Sequence, residues 1–264
     1  MSYIAYLTHG GGPLPLLNDP GHRELVASLR ELAAVAPTPK AILLVSAHWE
    51  ASPVSLTGHP SPSLIHDYYG FPEAAYSLRY PVPGQPALAE RARALLEDAG
   101  VPASVDQERG LDHGVFVPLS LMYPAADVPV VEMSVHSSLE PALHRRLGAA
   151  LAPLLNDGVA LIGSGSSFHN MAVLMGRDRS PAALEANRAF EDWLRDTLAE
   201  PGLSALERGR RLDQWRAAPG GAFAHPREEH LMPALVCAGA AGDRPGRVFA
   251  GRMGAANVSS VLWV

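Results

Sequence analysis

The sequence predicts an α/β fold, an open sheet of buried strands flanked by helices with a ligand site at the strand ends. Three observations predict it. Short apolar runs without polar alternation recur, as in Ala41 to Glu50 (AILLVSAHWE), which opens with five aliphatic residues in six positions. Runs that short and unbroken are strands covered on both faces. Helical periodicity fills several of the intervals between them. Histidines stand where the strands run out, the edge at which open α/β sheets bind ligands.

Taken in order, Tyr3 to Thr8 is a strand that delivers His9 into HGGGPLPLLNDPG. Three glycines let the main chain approach a ligand closely, but GGGP matches neither phosphate-binding glycine pattern. Pro20 to Ala34 reads as a helix capped by Asn18 or Asp19, with Leu25, Leu29 and Leu32 on one stripe. Pro37 and Pro39 end it before the Ala41 strand, and His48 is placed just past that strand's end. Prolines 60, 62, 72, 81, 83 and 86 forbid a long helix between Ser52 and Gly84, while Tyr68, Tyr69, Phe71, Tyr76 and Tyr80 argue against disorder. An ordered loop wrapped over a site fits both facts, with His66 and Asp67 as a supporting pair.

Pro86 to Ala99 is a helix with Leu88, Ala92, Leu95 and Leu96 inward and Gly100 closing it. A short strand at Ala103 to Asp106 precedes His113, which opens an apolar run. Pro129 to Val135 is a strand ending at His136, and Ser138 is expected to cap a helix from Leu139 to Leu155 with His144 on its solvated side. Gly158 to Gly163 is a buried strand followed by SGSSFHN, which brings His169 to a strand end. Pro181 to Leu198 is an amphipathic helix with Leu184, Phe190, Trp193 and Leu194 inward. Arg208 to Arg211 reads as a solvated basic face, and Ala217 to Glu229 as a flexible loop whose acids cap a helix His230 to Ala238. Strands Arg247 to Arg252 and Ala256 to Val264 close the sheet.

Composition narrows the function. With 264 residues, 47% of them hydrophobic, the chain can bury one large core, read here as one catalytic domain over 1–264. A net charge of −6 without a basic cluster speaks against nucleic acid. A single cysteine, Cys237, excludes an internal disulfide and a cysteine-rich zinc site. Neither a signal segment nor an apolar run long enough to cross a bilayer is seen. A soluble cytoplasmic enzyme that acts on a small molecule is expected, with a homo-oligomer left open.

Eleven histidines are present, and singly each is more often a surface or core residue than a ligand. His9, His48, His169 and His230 differ because all four lie where a buried element meets a Gly- or Pro-rich loop; His22, His59 and His144 do not. Imidazole serves zinc, copper, iron and nickel alike, so ligand type does not choose the metal. Serine chemistry at SGSS is a rival, but a Gly-x-Ser-x-Gly elbow is missing.

The motifs THGGGP, VSAHWE, IHDYYGFP with YPVPG, GLDHGVFVPL, GSGSSFHN and PREEHLMPAL, in this order over nearly the whole chain, resemble the class III extradiol ring-cleavage dioxygenases and, within them, the DOPA 4,5-dioxygenase branch. The resemblance implies a central mixed, largely parallel β-sheet flanked by helices and a non-haem Fe(II), or Zn(II) in some isolated members. It implies metal ligation by His9, His48 and His230, an acid/base role for His169 and a substrate-orienting role for His113. His66, Asp67, Tyr68, Phe71 and His225 are then expected around a catechol-type substrate, cleaved with O2 beside its two hydroxyls. A zinc-bound hydrolase and a non-catalytic metal-holding scaffold, as in Memo-type proteins, are the alternative readings.

Overall fold

The computed structural model describes residues 1–264. Its core is one eight-stranded mixed sheet. The strands are β1 (Ile4–Thr8), β2 (Ala41–Ala51), β3 (Val54–Thr57), β4 (Ala103–Asp106), β5 (Val130–His136), β6 (Val159–Gly165), β7 (Arg247–Met253) and β8 (Ala256–Trp263), in the order β4-β3-β5-β2-β6-β1-β8-β7. The central four, β5, β2, β6 and β1, are mutually parallel. Antiparallel pairing begins at β3 on one side and β8 on the other. Every residue of β1 and β6 is buried, as are the first seven of β2, because helices cover both faces of a parallel sheet.

Helix α1 (Arg23–Val35) lies on β7 and β8, and the other long helices are α3 (Pro86–Asp98), α4 (His113–Met122), α5 (Pro141–Leu151), α7 (Pro181–Ala199), α8 (Ala205–Asp213) and α10 (Met232–Ala241). Three one-turn helices sit in loops: α2 (Glu73–Tyr76), α6 (Met171–Leu174) and α9 (Gly221–Ala224). Helices α1 and α4 pack together on one face; α3, α5, α7, α8 and α10 form the other layer. There α10 crosses α5 at backbone contact: a Cβ on Gly148 would stand 1.8 Å from the Val236 carbonyl oxygen, and one on Gly239 2.0 Å from that of Arg145. No helix is long and apolar enough to cross a membrane.

The structure departs from the sequence reading in several places, each for a local reason. β3 lies inside the stretch read as a loop; its four residues acquire strand geometry by pairing with β4 and β5. β2 runs on to Ala51, so His48 lies within it. Between Ser46 and Glu50 the register against β5 slips, Ser46 facing Ser134 and Glu50 facing Val135, and Ala47, His48 and Trp49 bulge out of the ladder. Asp19 does not cap α1 but takes the His22 ring. Ser138 does not cap α5 either: it bonds His136, and Leu139, at φ 52°, turns the chain first. The acids before His230 are not helix caps, since α10 starts at Met232.

Two expectations of solvation are corrected. Arg208 is only 1% exposed; its guanidinium donates to the carbonyls of Thr197 (2.9 Å), in the last turn of α7, and Gly242 (2.7 Å), just past α10, so one buried cation serves two helix C-termini. His144 has no exposed surface. Its Nδ1–H donates to the Glu140 carbonyl (2.7 Å) and its Nε2 accepts from the His136 amide (3.1 Å), an arrangement available only to the neutral ring.

Burial drives the His144 pKa from its ordinary value of 6.5 down to about 4. Protons taken up by the unfolded but not the folded chain destabilise the fold. Stability contributed by neutral His144 is therefore fully present above pH 6.5 and is lost as pH falls towards 4, by about 3 kcal/mol in total. Urea midpoints measured across this window should fall less steeply, by close to one proton, in His144→Gln than in the wild type. Equal slopes would mean that His144 is not a titrating group.

Candidate active site

Strand ends and one loop bring the site together. His9 leaves β1 with its amide still bonded to the Gly165 carbonyl (3.0 Å), so the ladder between β1 and β6 fixes its backbone. Ser164 Oγ donates to the Gly114 carbonyl and must therefore accept from His9 Nδ1–H (2.9 Å). That leaves the His9 Nε2 lone pair directed at the cavity. The β2 bulge supplies His48, whose Nε2 lies 3.1 Å from His9 Nε2. His230 arrives from the loop before α10. Its carbonyl accepts from Tyr6 Oη (3.0 Å) and the Ser166 amide (3.1 Å), and a Cβ on Gly165 would come within 2.1 Å of that oxygen. Only glycine at 165 lets this loop lie so close to β6. Glu229 Oε1 accepts from His230 Nδ1 (2.8 Å), which again turns Nε2 inward.

The ligand nitrogens of His9, His48 and His230 all lie within 4.8 Å of one another, and no carboxylate belongs to this group. Two nitrogens about 2.1 Å from a common ion stand 3.1 Å apart when the angle between them is a little over 90°. Burial first, and then the neighbouring histidines, lower His9 and His230 well below their ordinary range; the same causes bring His48 down to about 4. At neutral pH these rings are unprotonated, the form that binds metal.

His169 and His113 flank this centre. The His169 ring stacks on His230 at 3.4 Å between centroids and 14° between planes, with its Nδ1 3.5 Å from Glu229 Oε1. Its pKa is lowered to about 4 by burial. His113 opens α4, where Asp112 is the N-cap and accepts from the Gly114 amide. Its ring centroid is 3.9 Å from that of His48. Asp67 Oδ1 accepts from both the amide (3.0 Å) and Nδ1 (2.8 Å) of His113, and Asp67 Oδ2 is 3.7 Å from His48 Nδ1. Although burial raises the Asp67 carboxyl, the His113 bonds outweigh it and hold it down at about 2.

These residues open into a cavity of about 640 Å³. Gly10 and Gly12, at φ 95° and 54°, form one wall; a Cβ on Gly10 would strike Pro15, and Gly12 lies under the Phe71 ring. His22 holds this loop by accepting from the Gly11 amide (3.1 Å) while donating to Asp19 (2.7 Å). Tyr68, Tyr69 and Phe71 form the second wall; the Tyr68 hydroxyl is occupied by the Ala75 carbonyl (2.7 Å), so the cavity meets its ring. Met171, Leu174, Met175 and Arg177 form a third.

The profile of the catalytic LigB subunit of aromatic ring-opening dioxygenases matches residues 5–260. The chain belongs to this family. It is 38% identical to the 4,5-DOPA dioxygenase extradiol of Beta vulgaris (90% of this chain, 86% of the relative) and 36% identical to that of Escherichia coli K12 (89% and 83%). A dioxygenase of Hapsidospora irregularis, tasH, is 41% identical over 90% of this chain and 78% of its own. The crystal structure of an uncharacterized Escherichia coli K12 protein, JW3007, superposes with a TM-score of 0.79 at 31% identity, covering 99% of both chains. The protein is thus an extradiol ring-cleavage dioxygenase of the DOPA 4,5-dioxygenase branch.

For the extradiol dioxygenase, eight of the ten residues singled out in the sequence reach the cavity or its supporting contacts. His66 and His225 do not. The His66 ring packs against Tyr68, Tyr76 and Phe116, behind the aromatic wall. His225 is fully buried between Phe190 and Trp215 and donates Nε2–H to the Ser167 carbonyl (3.0 Å). Which way each ring packs is set by these contacts, and spacing along the chain does not reveal it.

The sequence reading also missed a buried acidic pair behind the histidines. Asp112 accepts from Ser46 Oγ (2.8 Å), the Gly114 amide (3.0 Å) and Arg109 (3.1 Å), while Glu132 Oε2 accepts from the Asp112 amide (3.1 Å). Ser46 Oγ in turn accepts from the His48 amide (3.2 Å), so one network holds both the bulge and the start of α4. Burial, and then Asp112, push the Glu132 carboxyl well above its usual range. Removing Asp112 takes the acceptor from the Ser46 hydroxyl and the Gly114 amide and leaves Arg109 only the Glu132 carboxyl, 3.5 Å away. Asp112→Ala should lower unfolding free energy by about 3 kcal/mol, read as a shifted urea midpoint at constant m; a change under about 1 kcal/mol would show that the network is not structural.

Proposed function

We propose that this dioxygenase cleaves a catechol-type substrate with O2 at a single Fe(II) held by His9, His48 and His230. The observation that carries the reading is the convergence of three unprotonated imidazoles, two of them oriented by Nδ1 bonds to Ser164 and Glu229. Three neutral nitrogens would also suit zinc. A ring-opening dioxygenase must activate O2, and zinc has no redox chemistry, which favours iron. Iron held here would take both catechol oxygens and let electron density pass from ring to O2.

The chain's own residues handle position and protons. Tyr68 and Phe71 offer flat apolar surface to one face of an aromatic ring. His169, kept unprotonated by burial, accepts the proton that a catechol hydroxyl gives up on binding and later returns it to the ring-opened product. Glu229 Oε1, 3.5 Å from His169 Nδ1, stabilises the imidazolium in between. His113 turns Nδ1 to Asp67 and so presents its other edge to the cavity, where it orients the second hydroxyl.

Protein stripped of metal, reloaded anaerobically with Fe(II), mixed with a catechol and then exposed to air should consume O2 and form a yellow ring-opened product. Zn(II)-loaded protein should form none. Product formation with zinc alone, or none with iron, would refute the assignment.

The histidines are separable by metal content. His48→Ala should lose the metal. His169→Gln should retain most Fe(II) and still bind catechol while turnover drops by about two orders of magnitude. If elemental analysis found His169→Gln as empty as His48→Ala, His169 would be a ligand and the base would have to be His113.

A further inference from the structure

We propose that Arg227 is a positioning residue, a clasp that ties the strand carrying His48 to the loop carrying His230 and so sets how firmly the site holds its metal; this rests on the three-histidine reading above. Arg227 Nη1 and Nη2 donate to Glu50 Oε1 (2.6 Å) and Oε2 (2.7 Å), a fork-to-fork pair between residues 177 apart in the chain. The same Nη1 stands 3.3 Å from Glu229 Oε2. Glu50 comes two residues after His48, and Glu229 directly precedes His230. The rings of His48 and His230 are 4.9 Å apart between centroids. A single guanidinium, outside the cavity and with its side chain 56% exposed, thus gathers the carboxylates at the roots of both ligand arms.

Each arm is anchored elsewhere at other points. Before His48, the bulge is held through Ser46 to Asp112; after it, Glu50 rejoins β5 opposite Val135, and its carboxylate turns to Arg227. The loop before α10 is pinned at His225, which donates to the Ser167 carbonyl, and at the His230 carbonyl, which accepts from Tyr6 and Ser166. Arg227 lies between these two pins and is the loop's hydrogen-bonded link to β2.

Exposed ion pairs usually contribute little, except where the geometry is bidentate or several charges form a network. Both conditions hold at Arg227. By contrast, the pairs of Arg93 with Glu90 and Glu97, or of Arg211 with Glu207, join only neighbouring turns of one helix. Glu229 is 8% exposed and its Oε2 is buried without a hydrogen-bond donor, so Arg227 is the cation that faces it. Oε1 of the same carboxylate accepts from His230 Nδ1 (2.8 Å). Holding Oε2 from outside therefore fixes Oε1, and with it the ring that turns Nε2 inward. Without the guanidinium two carboxylates, one on each arm, would repel across the gap that Arg227 now bridges.

The test reads metal release and not turnover. Protein loaded with Zn(II) is mixed with an excess of a chromogenic chelator, and the transfer of zinc is timed in the wild type, Arg227→Gln, Arg227→Lys and the double variant Arg227→Gln/Glu50→Gln. Contacts behind metal-ligating histidines are typically worth about 10- to 100-fold in affinity, so Arg227→Gln should release zinc about tenfold faster or more. Arg227→Lys, which keeps the charge without the fork, should fall in between. The double variant should release zinc more slowly than Arg227→Gln, since removing the Glu50 charge relieves the repulsion. Added salt should narrow the difference between the wild type and Arg227→Gln. Equal release from these two would overturn the assignment, even where the Fe(II)-loaded protein cleaves catechols. A double variant as fast as Arg227→Gln would mean a general loosening of the loop and would overturn it as well. Fast release from Arg227→Gln, slowed again in the double variant, in a protein whose Fe(II) form leaves catechols intact would uphold the clasp and refute the catechol reading alone. A wild type that retains no metal would remove both.

Discussion

The site depends on keeping His9, His48 and His230 together and unprotonated. Three protonated imidazoles within 4.8 Å would repel strongly in a low-dielectric interior, and burial resolves the conflict by removing the protons. The result is three lone pairs facing one point with the nearest nitrogens 3.1 Å apart. The surrounding structure supplies the rigidity that keeps this set assembled.

That rigidity has two sources. Parallel pairing of β1 with β6 and of β6 with β2 fixes the backbone from which His9 and His48 project. Around it runs a layer of acceptors, Ser164 behind His9, Glu229 behind His230 and Asp67 behind His113, each of which sets a ring's orientation through Nδ1. The buried pair of Asp112 and Glu132 stands one layer further out and ties the β2 bulge to the start of α4 through Ser46. Ligand geometry is thereby inherited from the sheet, and the loops are left to face the substrate.

The two sides of the cavity differ in character for that reason. On the sheet side the polar atoms are buried and paired. On the loop side stand Tyr69, Met171 and Met175, large apolar residues left exposed at 92%, 48% and 56%. Exposed apolar side chains around a cavity mouth are what an aromatic ligand can cover, and methionine adapts its shape at little cost.

By itself the sequence determined the strands of the parallel core, the helices between them and the histidines that follow β1 and β6, because unbroken aliphatic runs and helical periodicity are properties of neighbouring residues. The order of motifs further gave the family and the set His9, His48, His230, His169 and His113. What only tertiary structure decided are relations between residues far apart in the chain. β3 exists through pairing with β4 and β5, and the bulge that swings out His48 is a slip against β5. His144 and Arg208, polar and on amphipathic helices, read as solvated until α5 and α8 are packed and each finds backbone partners in neighbouring segments. His66 and His225 look equivalent to the site histidines in a one-dimensional reading, yet each ring is turned into the core. A side chain's direction is set by the dihedrals and contacts of the folded chain, which local sequence constrains only weakly.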